Sequence, residues 1–463
     1  MTSAVVIGAY GSAGVAAAET LADAGVDLTL VDDGEPGGGL CILRGCMPSK
    51  EVLSAAAHRY EARHDDRLSG APPTIDLEAV VETKDEHVSD FAAHRRAAVH
   101  QLAEREHVEF RHESARFVDD RTVAVGRDRL EPDYVVVATG STVNVPDLPG
   151  IDDVDYWTSD DVLDATRLPS SGVVMGFGYV GLELVPYLVE AGMEELTVIE
   201  HDERPLDEAD PVYGDALLDL YREEFGVEIL TETYEQSIEP TADGVRLHVD
   251  GPPGAVEADA LFLFTGRRPT LDGLGLDATR IDYDEGWVRD TMQAREDDRV
   301  FVVGDANGRE PILHVAKEQG FQAAENLLAH AAGEPLEAYQ HVHHHVVFSG
   351  AGVYPYARVG VNEAVAAASD REVVVATREA SDDGVFKTKT VPRGHATLIA
   401  DGADGTVLGY QGLHYHADTM AKTMQVIIEL GLDVRDLPDR AYHPTLPEIL
   451  DGLFRDASAQ LET

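Results

Sequence analysis

The segment AVVIGAYGSAGVAAAETLADAGVDLTLVD (4–32) decides the fold of the first part of the chain. AVVI (4–7) is a short apolar run that predicts a buried strand, residues 15–25 have helical periodicity ending at Gly25, and LTLVD (28–32) predicts a second strand. The turn between strand and helix has GxxGxxG spacing, one residue longer than the usual GxGxxG. We therefore predict a βαβ unit of a parallel sheet whose turn contains Gly8, Gly11 and Gly14.

This pattern is typical of a dinucleotide-binding unit. The glycines let a pyrophosphate approach the backbone at the start of a helix, and an acid after the second strand can accept a hydrogen bond from a ribose hydroxyl. Asp32 has that position. An ordinary tight turn could contain the same glycines, so one copy of the pattern is weak evidence.

The pattern recurs in SGVVMGFGYVGLELVPYLVEAGMEELTVIE (171–200). Here the spacing is the regular GxGxxG, and the acid at the end of the second strand is Glu200. Two such units in one chain favour two different dinucleotides over an accidental turn. The second turn contains Gly176, Gly178 and Gly181.

The charge of the chain excludes several classes of function. Its 463 residues include 86 Asp and Glu against 36 Lys and Arg, a formal charge of −50. A chain this acidic does not coat nucleic acid or anionic lipid, and 44% apolar residues argue against disorder. The composition is typical of a cytoplasmic protein from a halophile, and we predict that the fold is lost in dilute buffer.

The apolar runs of the sequence predict neither a membrane span nor a secretory signal. No apolar run reaches the roughly 18 residues that span a bilayer, and the opening segment lacks the basic region of a secretory signal.

The chain has two cysteines, Cys41 and Cys46, after a glycine run at 37–39. Five positions apart, they can close a small disulfide that opens without disturbing a core. Two unrelated buried thiols are the alternative, and a metal site would need more ligands.

The remainder of the chain completes an α/β architecture. Residues 48–105 predict helices, 108–139 predict short strands, and 340–463 alternate strand patterns with helices at 417–431 and 446–459. We predict two Rossmann-like dinucleotide-binding domains followed by a C-terminal α+β domain.

The chain resembles the pyridine nucleotide-disulfide oxidoreductases, the family of dihydrolipoamide dehydrogenase and of the glutathione, mycothione and mercuric reductases. The resemblance rests on six motifs in the family's order: GGGLCILRGCMPSK (37–50), VVVATGS (135–141), GFGYVGLE (176–183), FTGRRPT (264–270), FVVGDAN (301–307) and HPTLPE (443–448). It implies an FAD domain at 1–145 and 266–338, an NAD(P) domain at 146–265 and a dimer-interface domain at 339–463.

The resemblance also implies roles for the charged and sulfur residues. Cys41 resembles the thiol that exchanges with the substrate disulfide, and Cys46 the thiol nearer the flavin. Lys50 and Glu183 resemble the ion pair beside the flavin, where the lysine stabilises negative charge on the reduced ring. His443 resembles the acid–base that crosses to the partner subunit of a homodimer, with Glu448 orienting its ring.

The resemblance also implies that further residues contact a cofactor. Asp305 resembles the aspartate that binds the ribityl chain of FAD. The remaining positions that we predict to contact a cofactor are Gly39, Thr139, Gly140, Gly266 and Arg267.

The sequence constrains the choice of nicotinamide nucleotide and of substrate less than it constrains the family. Glu200 favours NAD(H), because a carboxylate repels a 2′-phosphate, although Arg204 lies close in sequence. LHVAKEQG (313–320) and the HPTL ending favour a dihydrolipoamide dehydrogenase. A low-mass disulfide of the bis-γ-glutamylcystine, glutathione or mycothione type is an alternative substrate. The carboxylates of such a disulfide would need arginines to bind them, and this chain supplies arginines. The sequence also leaves open a non-catalytic flavin subunit and a thiol-independent flavin oxidase or transhydrogenase.

Two clusters have no assigned chemistry. HVHHHV (341–346) could bind a divalent ion, but we interpret it as structural or solvated and predict no metal site. The paired aspartates, among them 382–383, we interpret as solvated faces.

Overall fold

The computed structural model describes residues 2–284, 286–369, 371–440 and 442–462. The chain divides into two compact units. Unit 1 contains residues 1–48, 82–144 and 267–341, and unit 2 contains residues 49–81, 145–266 and 342–463.

The helices of the described residues are, in chain order, α1 Ser12–Asp23, α2 Leu40–Leu43, α3 Cys46–His64, α4 Leu77–Leu102, α5 Ser159–Leu163, α6 Tyr179–Glu190, α7 Pro211–Glu224, α8 Leu313–Ala332, α9 Glu363–Ala367, α10 Gly384–Thr388, α11 Ala417–Glu429 and α12 Glu448–Leu461. The strands are β1 Ser3–Ile7, β2 Asp27–Val31, β3 Val108–Arg111, β4 Ala115–Phe117, β5 Val123–Val125, β6 Asp128–Leu130, β7 Tyr134–Val137, β8 Ser141–Val143, β9 Tyr156–Trp157, β10 Ser171–Met175, β11 Glu195–Ile199, β12 Glu228–Leu230, β13 Glu235–Pro240, β14 Val245–Val249, β15 Ala255–Ala258, β16 Ala260–Leu263, β17 Arg267–Pro269, β18 Val300–Val302, β19 His344–Val347, β20 Tyr356–Gly360, β21 Val373–Glu379, β22 Gly394–Asp401 and β23 Val407–His414.

A parallel sheet of order β18-β7-β1-β2-β3 forms the centre of unit 1. Strands β1, β7 and β18 are almost wholly apolar because parallel strands are covered on both faces. Helix α1 packs against α8 on one face, and a second apolar cluster with the small β4-β5-β6 sheet lies on the other. The carboxyl ends of all five strands therefore meet at one edge, where ligands of such folds bind.

Unit 2 contains a second parallel sheet, of order β12-β11-β10-β16-β9. It also contains the antiparallel sheet β19-β20-β23-β22-β21, whose core is completed by α11 and α12. The α/β fold with two dinucleotide-binding sheets and a C-terminal α+β part is thus confirmed.

Local differences from the predictions are small. Helix α1 ends at Asp23, and Gly25 follows it with a positive φ of 75°, the left-handed conformation that glycine adopts beyond a helix. Asp383 is wrongly predicted as part of a solvated face, because it is 8% exposed and binds Arg378 through both carboxylate oxygens. Among the described residues, no helix combines the length and apolarity needed to cross a membrane.

We expect the fold to require salt. At a formal charge of −50, lowering KCl from molar to millimolar lengthens the Debye length and increases repulsion among surface carboxylates. Far-ultraviolet circular dichroism should then show loss of helix, and restoring KCl should lower the unfolded fraction. An unchanged spectrum and melting temperature in millimolar KCl would contradict this expectation.

Candidate functional site

The first glycine turn forms a close-packed cradle at the carboxyl edge of the unit 1 sheet. Gly8 follows β1 with a φ of 92°, and a Cβ atom there would collide with the carbonyl oxygen of Ala138. A Cβ atom at Gly14, inside α1, would collide with the carbonyl oxygen of Gly8. Gly11 is the residue that precedes α1. Side chains are thus excluded where a pyrophosphate would approach the helix.

Asp32 lies at the same edge, directly after β2. Its carboxylate accepts hydrogen bonds of 2.9 Å from the backbone N–H groups of Tyr10 and Gly34. Burial raises the pKa of Asp32, and these N–H groups oppose that rise. A cavity of about 360 Å³ opens beside it, and its lining includes Gly8, Val31, Asp32 and Thr139.

Two more predicted residues follow neighbouring strands of this sheet. Thr139 follows β7, and its buried hydroxyl has no hydrogen-bond partner among the described residues. Asp305 follows β18 and accepts a 2.6 Å hydrogen bond from the hydroxyl of Ser141. Arg267 donates to the same hydroxyl at 3.0 Å, and Gly140 lies between β7 and β8 with a φ of 71°.

The two cysteines lie in unit 1, on consecutive helices of the chain. Cys41 is in α2 directly after Gly39 and Leu40, and Cys46 is the first residue of α3. Both are free thiols, Cys41 partly buried and Cys46 exposed. A hydrogen bond with the Cys46 side chain and burial raise the pKa of Cys41, and the backbone N–H of Cys46 opposes that rise. The two thiols are therefore neighbours, as exchange between a dithiol and a disulfide requires.

The second glycine turn lies at the corresponding edge of the unit 2 sheet. Gly176 follows β10, Gly178 precedes α6, and a Cβ atom at Gly181 would lie 2.7 Å from the carbonyl oxygen of Gly176. Gly266 follows β16 with a φ of 82°. Glu200 directly follows β11 and accepts a 3.0 Å hydrogen bond from the N–H of Asp202.

The charged residues that follow Glu200 in the sequence are acidic or already paired. Burial raises the pKa of Glu200. Arg204 binds Asp215 at 2.8 Å and Glu203 at 2.9 Å, and His201 binds Glu235 at 2.6 Å. The arginine that the sequence left open is therefore engaged by two carboxylates.

Lys50 and Glu183 form an ion pair within unit 2. The Lys50 ammonium lies 2.7 and 2.8 Å from the two carboxylate oxygens of Glu183. It also lies 4.5 Å from the centre of the Phe348 ring, and the N–H of Phe348 donates to Glu183 at 3.1 Å. The lysine is 32% and the glutamate 16% exposed. The carboxylate and the ring thus hold an ammonium that is still partly exposed to solvent.

His443 and Glu448 also form a pair within unit 2. The His443 side chain is 81% exposed, and its Nδ1 lies 3.1 and 3.2 Å from the carboxylate oxygens of Glu448. The N–H of Thr445 and the imidazole lower the pKa of Glu448. The ionised carboxylate orients the ring and leaves Nε2 directed away from it, as an acid–base needs.

The histidine cluster makes the following contacts within each unit. His341 binds Glu310 at 2.9 Å in unit 1. In unit 2, His343 lies 2.8 Å from Nδ1 of His345, and the His345 ring contacts Tyr179. Only His344 and His345 belong to strand β19. Strand β19 therefore contains two of the four histidines of the cluster.

Sequence reasoning missed two residues that interact with the predicted set. Phe348, directly after strand β19, contacts Lys50 and Glu183, and the charge of Arg95 in α4 lowers the pKa of Cys41. Neither residue belongs to a motif. The sequence offered one signal for Arg95, because basic residues are few in this acidic chain and Arg95 lies in a segment predicted to be helical.

Comparisons with known proteins agree with this geometry. The family described as pyridine nucleotide-disulphide oxidoreductase matches residues 2–320, and its dimerisation domain matches residues 346–453. The chain is 30% identical over 470 residues to dihydrolipoyl dehydrogenase of Halobacterium salinarum, covering 96% of this chain and 94% of that protein. It is 27% identical over 447 residues to mercuric reductase of Bacillus cereus, covering 94% and 68%.

Solved structures share the fold. The Cu(II) complex of the HOCl-induced flavoprotein disulfide reductase RclA from Escherichia coli superposes with a TM-score of 0.83 at 24% identity, covering 98% of this chain and 99% of that one. LpdA from Mycobacterium tuberculosis gives a TM-score of 0.84 at 23% identity, with the same coverage.

The chain belongs to the pyridine nucleotide-disulphide oxidoreductase family. It is an oxidoreductase of a family that uses FAD and a pyridine nucleotide.

Proposed function

We propose that this protein moves two electrons between a nicotinamide nucleotide and a dithiol or disulfide through Cys41 and Cys46. The observation that carries the proposal is the thiol pair itself. The two cysteines of the whole chain are hydrogen-bonded neighbours in the unit that contains the first glycine cradle. A non-catalytic flavin subunit or a thiol-independent oxidase would not need such a pair.

FAD fits the carboxyl edge of the unit 1 sheet. The cradle around Gly8 and Gly14 suits the pyrophosphate of FAD, and Asp32 suits its adenosine ribose. The Thr139 hydroxyl, which has no hydrogen-bond partner among the described residues, and the Asp305 carboxylate suit further polar groups of FAD. Bound FAD would supply the chemistry of accepting a hydride and passing electrons to a disulfide. We assign residues 1–145 and 266–338 to the FAD domain and residues 146–265 to the NAD(P) domain.

We propose NAD(H) as the nucleotide of the unit 2 sheet. Glu200 can accept hydrogen bonds from the ribose hydroxyls, and it would repel a 2′-phosphate. The ion pairs of Arg204 with Asp215 and Glu203 support this choice, because they oppose its use as a phosphate ligand.

Glu200→Ala is expected to weaken the preference for NADH over NADPH. The substitution removes a carboxylate that accepts hydrogen bonds from the ribose and repels a 2′-phosphate. The ratio of kcat/KM for NADH to kcat/KM for NADPH should therefore fall by about tenfold. Steady-state kinetics with both nucleotides measure the ratio. Glu195→Ala, at the opposite end of strand β11, is the control and should leave the ratio unchanged. A preference for NADPH in the unsubstituted protein would overturn the assignment.

The two side-chain pairs of unit 2 have proposed roles in the same reaction. Lys50, held by Glu183, would stabilise negative charge on the reduced ring. His443, oriented by Glu448, would donate and accept the proton of the thiol chemistry. We propose a cytoplasmic homodimer, joined through residues 339–463, in which His443 serves Cys41 of the partner subunit. The match to the family's dimerisation domain supports this arrangement.

Dihydrolipoamide is the proposed dithiol. The 30% identity to a haloarchaeal dihydrolipoyl dehydrogenase over nearly the full length supports it. The test compares turnover in molar KCl with dihydrolipoamide, bis-γ-glutamylcystine and glutathione disulfide, each with both nicotinamides. We expect the highest kcat/KM with dihydrolipoamide and NAD⁺. Faster turnover of bis-γ-glutamylcystine would replace this substrate with a low-mass disulfide.

A further inference from the structure

A proline removes one hydrogen bond from helix α6 next to Glu183. In an α-helix the carbonyl oxygen of each residue accepts from the N–H four residues later. For the buried Leu182 that later residue is Pro186, which lies inside α6 and has no N–H. The proline ring also crowds the carbonyl four residues before it. The Leu182 carbonyl therefore needs a donor from outside its own helix.

Tyr221 of α7 supplies that donor. Its hydroxyl donates to the carbonyl oxygen of Leu182 and accepts a 3.2 Å hydrogen bond from the N–H of Gly350. Tyr221 is fully buried, and its ring contacts the rings of Phe177 and Phe225. Burial raises the pKa of Tyr221, so the hydroxyl keeps the proton that it donates. This hydroxyl thus joins α6 to the segment that follows β19.

The two ends of this bridge lie next in sequence to the two groups that hold Lys50. Leu182 directly precedes Glu183, whose carboxylate oxygens lie 2.7 and 2.8 Å from the Lys50 ammonium. Gly350 lies two residues after Phe348, whose ring contacts the ammonium and whose N–H donates to Glu183. All of these residues belong to unit 2. A shift at either end of the bridge would therefore move the carboxylate or the ring relative to the ammonium.

We propose that Tyr221 is a positioning residue that fixes the Glu183–Lys50 pair through the Leu182 carbonyl. The inference rests on the proposed function, in which the Lys50 ammonium stabilises negative charge on the reduced flavin. An ammonium that is already held in place acts on that charge without first being reoriented. The hydroxyl on α7 replaces the hydrogen bond that Pro186 removes from α6.

The first measurement is the acetylation of lysines, which does not depend on catalysis. The FAD-loaded protein in molar KCl is treated with limiting acetic anhydride, and each lysine is quantified by peptide mass spectrometry. Tyr221→Phe removes the hydroxyl and keeps the ring. It should raise the acetylation of Lys50 about threefold relative to the exposed Lys389, because an ammonium released from its carboxylate is more accessible. Acetylation of the buried Lys84 should not change, since the fold is retained.

The second measurement is the stopped-flow rate of flavin reduction by NADH. Tyr221→Phe should slow this rate at saturating NADH by about three- to fivefold. The NADH concentration that gives half the maximal rate should not change, because the substitution leaves Glu200, the proposed ribose ligand, intact.

Two further variants separate the bridge from general packing. Pro186→Ala provides an N–H for the Leu182 carbonyl, so adding it to Tyr221→Phe should recover most of both changes. Tyr187→Phe is the matched control. Tyr187 is a fully buried tyrosine of α6 whose hydroxyl has no hydrogen-bond partner among the described residues, so its loss should alter neither measurement.

Unchanged acetylation of Lys50 in Tyr221→Phe would overturn the inference. An equal increase in Tyr187→Phe, or no recovery on adding Pro186→Ala, would overturn it as well. Faster acetylation of Lys50 without slower flavin reduction has a different meaning. That result would support the positioning by Tyr221 and refute the proposed role of Lys50 in the reaction.

Discussion

Cys41→Ser is expected to abolish disulfide turnover while the protein still folds and binds FAD. A serine hydroxyl neither forms a mixed disulfide with the substrate nor closes an internal one with Cys46. We expect kcat with dihydrolipoamide or a disulfide to fall by at least about 10³-fold. The glycine cradle, Asp32 and Thr139 are separate from the sulfur, so the FAD content should not change.

Reduction of ferricyanide by NADH separates this loss from damage to the nucleotide sites. That acceptor needs no thiol exchange, and its rate should change by less than about twofold in Cys41→Ser. Ile42→Val is the matched control, since it trims the neighbouring buried residue of α2 without touching a sulfur. Disulfide turnover that survives the loss of Cys41 would remove the thiol pair from the reaction.

His443→Ala is expected to slow the thiol half-reaction far more than the nicotinamide half-reaction. The exposed imidazole oriented by Glu448 is the proposed group that moves the thiol proton, and such groups typically contribute 10²- to 10⁴-fold. Stopped-flow reduction by NADH should remain close to that of the unsubstituted protein. Oxidation of the reduced protein by a disulfide should be slower by about 10²-fold.

A second histidine–glutamate pair provides the control for this prediction. His248 is a partly exposed histidine paired with Glu239 at 3.3 Å in unit 2, and His248→Ala should alter neither half-reaction. Glu448→Gln keeps the imidazole but loses the charge that orients it, so a smaller decrease, of about tenfold, is expected in the thiol step. Equal slowing of both half-reactions by His443→Ala would contradict the proposed role.

Local patterns were sufficient to predict the parallel sheets and the positions of several candidate residues. The glycine turns after β1 and β10 lie where the sequence places them, because strand, turn and helix are encoded within thirty residues. The order of motifs predicted Lys50 and Glu183 as partners, and the structure brings them to 2.7 Å. That contact joins distant segments, so without the family resemblance neither periodicity nor spacing would have paired them.

Other features depend on tertiary contacts that a single sequence does not display. Arg204 is close to Glu200 along the chain and looks available for a phosphate, but helix α7 brings Asp215 against it. Asp383 looks solvated among neighbouring acids, but strand β21 supplies Arg378 as its partner. In both cases the deciding group lies on another element and forms a geometry-dependent ion pair.

An anaerobic reductive titration tests the central claim most directly, namely that Cys41 and Cys46 form a redox-active disulfide coupled to FAD. The FAD-loaded protein in molar KCl is titrated with dithionite, and the electrons taken up per FAD are counted. We predict that the unsubstituted protein accepts two more electrons per subunit than Cys41→Ser, because its disulfide is reduced in addition to the flavin. Equal uptake by the two proteins would contradict the account.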